Sequence, residues 1–275
     1  MSISELIAEV LGLQSEWSSL NTPPMERRGQ IVRHELPDEM HALLRSAALE
    51  LDTSGRDATG RKTEIPWSRA FDGHHSPGAT QGFYVVYLFD AFGSQCVLSL
   101  NQGTTDFVAG EYQPKSPELL ADRVRWARDT VGRAGFTTDP YSDDIRLPTR
   151  GSNLGAQYEQ GNIFSRTYEV DGISTDDELA RDLVLFGRML NAIYDHERLD
   201  PPPGAPSPEL LHALNASHEA AQDRRRLSGR RSRNGRWPSR QAISKARGGL
   251  SRMSVRQSRS ISFASDREHR TSWLR

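Results

Sequence analysis

Cysteine is close to absent from this 275-residue chain, which has one, Cys96. No internal disulfide can form, and a thiol between Gln95 and Val97 in a strand-like run reads as buried core rather than as a nucleophile. Long apolar runs are missing too, since no window approaches the roughly 20 apolar residues that a membrane span needs. The opening segment, Met1 to Leu6, sets no basic residues ahead of an apolar stretch, as a secretory leader would. These absences predict a soluble, cytoplasmic protein. Hydrophobic content of 36% is enough for a core but low for a chain folded throughout, so part of it is expected to remain unpacked.

Catalytic and metal-ligating clusters are also scarce. His74 and His75 are adjacent and point apart in an extended chain, without a second ligand pair at zinc-type spacing. His212 and His218 lie six apart and do not share a helix face. The stretch Asp52 to Thr63 nearly spells a phosphate-binding loop. Arg61 breaks its spacing, however, and it leads into Ile65-Pro66-Trp67 where a helix should begin, which argues against nucleotide binding. Its small residues with Arg56, Arg61 and Lys62 suit either a solvated loop or a loop approaching nucleic-acid phosphates. With no paired-carboxylate and lysine set and no Ser/His/Asp arrangement, neither metal, cofactor nor catalysis by the chain itself is expected.

What is present is a dense strand signal from Glu64 to Phe107. Gly82 to Phe89 and Gln95 to Gly103 are apolar β-formers on either side of a turn at Ala91-Phe92-Gly93, which predicts an antiparallel hairpin, with an edge strand before it at Trp67. Period two places Tyr84, Val86 and Leu88 on one face and Phe83, Val85, Tyr87 and Phe89 on the other. Both faces are apolar, so one is expected to meet helices and the other to line a pocket.

Ile65-Pro66-Trp67, Gly82 to Phe89 and Leu98 to Thr105 resemble the N-terminal DNA-binding domain of the McrB family, from methyl-directed (type IV) restriction systems. The resemblance extends more weakly through Gly155 to Ile163 and a helix ending near Tyr194, covering roughly residues 1 to 198. It implies recognition of modified, double-stranded DNA by base flipping, without catalysis, in a restriction or phage-defence system, with a nuclease or ATPase supplied by a fused domain or partner. It also implies a base pocket of Trp67, Tyr84 and Leu88; from the residues alone, the three read as ordinary core. Tyr84 and Leu88 stand about 13 Å apart at ~3.3 Å per residue, room for a base over Val86. The loop before Ile65 lacks the aromatic wedge that the family would place there. A protein-interaction adaptor, or part of a nuclease whose catalytic domain is missing, remains as the alternative.

Helices are expected from Ile3 to about Trp17, from Leu36, from Ser116-Pro117 to Gly135, and after the cap at Ser174 to Asp177. Arg123, Arg125, Arg128 and Arg133 are expected on a solvated face, and Asn162 to Val170 as a strand. The sum is an α+β domain, residues 1–198, whose mostly antiparallel sheet is backed by helices. A proline-rich linker and short helix follow over 199–223, then a disordered basic tail over 224–275. That tail carries 16 Lys and Arg against 2 Asp and Glu, leaving 19 basic and 34 acidic residues in the body. A frame displaced by one base lets Arg236 to Val255 encode a helix-then-strand pattern. That pattern resembles the start of the nuclease-like domain often fused to such readers, so the tail reads either as a genuine DNA tether or as a frameshifted remnant of a second domain.

Overall fold

A computed structural model describes residues 1–58, 60–108 and 111–205. The expected helix within 208–222 and the basic tail lie outside the described residues. The described chain is α+β, and its main sheet is antiparallel throughout. Strands β1 (Asp52–Arg56), β2 (Trp67–Phe71), β3 (Phe83–Phe89), β4 (Gln95–Gln102) and β7 (Phe164–Glu169) lie side by side in that order. A separate two-stranded ribbon pairs β5 (Thr105–Val108) with β6 (Glu111–Pro114).

The hairpin forms where its sequence places it. Every β3 residue is buried, because helices cover the face carrying Phe83, Val85, Tyr87 and Phe89 while a smaller apolar cluster covers the other. Those helices are α1 (Ile3–Gln14), α3 (Leu36–Ser46), α4 (Pro117–Arg133) and α6 (Asp176–Glu197). Each turns an apolar stripe inward: Ile7 and Val10, Met40 and Leu44, Val124 and Ala127, Leu183 and Phe186. Ser116 caps α4 and Thr175 caps α6, each accepting from a backbone N–H three residues on, so sequence signals fix both starts. Cys96 is fully buried on the helix side, and burial pushes its thiol well up.

Four expectations change. Trp67 does not begin an edge strand, because the polar β1 pairs outside β2; the first part of the expected Asp52–Thr63 loop, Asp52–Arg56, is therefore strand. The helix at Leu36 is the end of a longer one. It runs from α2 (Pro23–Gln30) through a π-helical turn, Ile31–Glu35, in which the Leu36 N–H reaches back five residues to the Ile31 carbonyl. Pro37 supplies no N–H to the ladder, and the wider turn absorbs that loss. Arg123 is buried rather than solvated, donating to the Gln102 side chain at 2.7 Å and to the Pro203 carbonyl at 3.1 Å. That last bond, with Gly204 packed on Leu119, carries the folded body past residue 198 into the proline-rich stretch.

Candidate functional site

The face of the sheet turned away from the large helices is a lattice of three rows, fixed by antiparallel register. Arg56, Trp67, Leu88 and Val97 form one row across β1 to β4, and Ser54, Arg69, Val86 and Ser99 form the next. Tyr84 and its partner Asn101 belong to the third. Trp67, Tyr84 and Leu88 thus surround Val86 on two adjacent strands, as period two requires.

The space over Val86 is not open. Val86 is 1% exposed, and Ile145 and Leu147, from the segment preceding α5 (Leu154–Gly161), join Tyr84, Leu88 and Ile65 in one buried cluster. The alternation of Ile145 and Leu147 turns both inward over the sheet. The covering segment is pinned by the Leu147 N–H on the Glu159 carboxylate at 2.8 Å and by the Ala91 N–H on the Pro148 carbonyl at 3.1 Å. Trp67 is half-buried, at the margin of this cover.

Tyr158 of α5 completes the margin. Burial pushes its phenol up to about 12, and the neighbouring Arg56 charge and the Trp67 indole N–H, which both favour the phenolate, offset part of that rise. Tyr84 lies deeper. Its hydroxyl donates to the Gln102 carbonyl at 3.1 Å, and burial raises its pKa, with the nearby Tyr158 adding to the rise and Arg69 opposing it. Sequence reading missed both Tyr158 and Arg69. The signals were there: Tyr158 falls in the weaker part of the resemblance, and Arg69 alternates with Trp67 and Phe71 on one strand face.

The three basic residues expected at DNA phosphates part company. Arg56 and Arg61 are exposed, but Lys62 is 6% exposed and its ammonium is bound to the Asp57 carboxylate at 2.9 Å. Asp57 also holds the buried Arg28 guanidinium, which donates to Gln14 and to the Thr63 carbonyl. Lys62 is therefore a clamp for its own loop, not a free phosphate ligand. His75 is likewise occupied, its Nδ1 lying 2.7 Å from Glu197 while its ring stacks on Tyr194. Among the described residues no three His, Cys, Asp or Glu side chains gather as a metal site, and no helix is long and apolar enough to cross a membrane.

No curated protein matches the chain. Residues 12–195, spanning all three rows of the lattice, the segment that covers them and Tyr158, match the family model of the MrcB-like N-terminal domain, and the chain belongs to that family.

Proposed function

We propose that this protein reads modified double-stranded DNA, of the methylated type, for a restriction system by drawing one base out of the duplex onto the Trp67, Tyr84 and Leu88 face, without catalysing a reaction itself. Family membership supports the restriction role. The observation that carries the flipping step is the grouping of those three side chains about Val86 on adjacent strands, with exposed Arg56 paired beside Trp67. Aromatic faces at Trp67 and Tyr84 repay part of the cost of unstacking a base, and Arg56 and Arg61 meet the flanking phosphates. Because Val86 is covered, the base enters at the Trp67 and Tyr158 margin and displaces Ile145 and Leu147 as it seats.

The test is fluorescence titration of Trp67→Ala and Tyr84→Leu with methylated, hydroxymethylated and unmodified duplexes, alongside circular dichroism. Each folded variant is expected to lose about 1 to 3 kcal/mol of affinity for the preferred modified duplex, the worth of the stacking removed. Folded variants that bind it normally would remove the pocket.

A further inference from the structure

Arg69 is a charged side chain built into the apolar face beside Val86, its register partner. It is 4% exposed. Its guanidinium carbon lies 3.7 Å from the centre of the Phe71 ring, 5.6 Å from that of Tyr84 and 6.0 Å from that of Trp67. Nε donates to Ser54 Oγ at 3.3 Å and Nη1 to Ser76 Oγ at 3.0 Å. No carboxylate forms an ion pair with it among the described residues, and Nη2 has no hydrogen-bond acceptor there. Burial accordingly lowers its pKa, opposed only by the Tyr84 and Tyr194 hydroxyls.

A buried guanidinium without a carboxylate is costly, and the two serines and the aromatic stacking compensate only part of that cost. Arg28, by contrast, is paired with Asp57, and Arg123, which like Arg69 forms no ion pair among the described residues, donates to the Gln102 amide oxygen and a backbone carbonyl and lies over the Phe83 ring on the helix-covered face. What distinguishes Arg69 from both is its place: its free Nη2 donors sit in a frame of rings, in the same row as the floor over which a base would stack. Arginine has donors and no acceptors, so the complementary ligand edge is one of carbonyl oxygens and unprotonated ring nitrogens.

We propose that Arg69 is a specificity-determining residue whose Nη2 donors read the acceptor edge of the extruded base, favouring a base that turns a carbonyl oxygen or bare ring nitrogen toward β2. This rests on the proposed base pocket of Trp67, Tyr84 and Leu88. Ser54 and Ser76 hold the guanidinium plane in place before the base arrives, so little ordering remains to be done on binding. A base presenting an amino group to the same position meets a donor with a donor and is rejected.

The test compares affinity for a duplex carrying the preferred modified base with affinity for the same duplex carrying an abasic site at that position. The ratio isolates contacts to the base from contacts to the backbone. Arg69→Lys and Arg69→Met are measured beside Trp67→Ala, with circular dichroism for each. The expected result is a ratio lowered about tenfold in Arg69→Met and less in Arg69→Lys, with abasic-duplex affinity unchanged in both. An unchanged ratio in both Arg69 variants, or in Arg69→Lys if Arg69→Met does not fold, overturns the proposal. So does a matching fall in affinity for both duplexes, which marks a purely structural role. If Trp67→Ala lowers the ratio while the Arg69 variants do not, the pocket stands without its reader; if no variant lowers it, the pocket reading fails as well.

Discussion

Asp57 is fully buried between two cations, Arg28 and Lys62, and holds the loop after β1 against α1 and α2. Removing it strands two buried positive charges, whereas removing Lys62 leaves Arg28 and Asp57 paired. Asp57→Ala is therefore expected to lose about 3 to 5 kcal/mol. Lys62→Met should lose only about 1 kcal/mol, the value of one hydrogen bond on a carboxylate that keeps its other partner. Urea unfolding at constant m-value measures both, and equal losses would show that the two cations depend on Asp57 alike. The same residue marks a limit of sequence reading. Lys62 beside Arg61 and Thr63 has the composition of a phosphate loop, but its partner Asp57 is itself claimed by Arg28, 29 positions away, and no local spacing records such a contact. Strand period makes legible only that Tyr84 and Leu88 share a face; that Trp67 joins them as a set comes from the family resemblance, because its pairing with Leu88 crosses from one strand to the next. Tyr158 reaches them only through the fold.

Among the elements, the legible ones carry their own instructions. The hairpin of β3 and β4 has apolar residues on both faces and a glycine turn, in which Gly93 takes a positive φ of 75° with the Leu11 carbonyl 2.2 Å from where a Cβ would sit. Helices α4 and α6 have capping residues and apolar stripes. β1, with the sequence Asp-Thr-Ser-Gly-Arg, has neither, and it is a strand because β2 offers it a ladder and because Gly55 allows close approach to the π-helical turn, where a Cβ would meet the Val32 carbonyl at 1.7 Å. The covering segment was illegible for a related reason: Ile145 and Leu147 are two apolar residues in a run without helical or strand length. That cover bears on binding. If the closed segment must move for a base to seat, the closed population lowers apparent affinity, and loosening the cover raises it. Leu147→Ala, which leaves the backbone bond to Glu159 in place, should bind the preferred modified duplex roughly threefold to tenfold more tightly. Unchanged or weaker binding by a folded variant would mean that the cover does not gate the face.

At the scale of the whole molecule, charge is divided unevenly along the chain. Residues 1–223 carry 34 acidic and 19 basic side chains, a field that repels DNA, while residues 224–275 carry 16 basic and 2 acidic ones. On the proposed reading, recognition by the folded body then rests on a local surface that includes the exposed Arg56 in the Trp67 row and the exposed Arg61, together with contacts to the base itself. The two readings of the basic segment, a DNA tether or the product of a displaced reading frame, differ in what they ask of it. Neither gives it a part in the core, so a chain ending after Gln222 is expected to unfold at the same temperature as the full chain. Discrimination between modified and unmodified duplex should also survive, because the proposed reading assigns it to Trp67, Tyr84 and Arg69. The readings separate on affinity for unmodified DNA. A tether contributes counterion release, so its removal should weaken that binding and flatten the dependence of log K on log salt by about 0.9 for each phosphate no longer neutralised. A displaced frame has no selected contact with DNA, and it further requires that sequencing of the locus find the alternative frame open well past the codon for Arg275. A flattened salt slope together with an early stop in the alternative frame establishes the tether; an open frame with folded-protein composition establishes a reader once joined to a second domain.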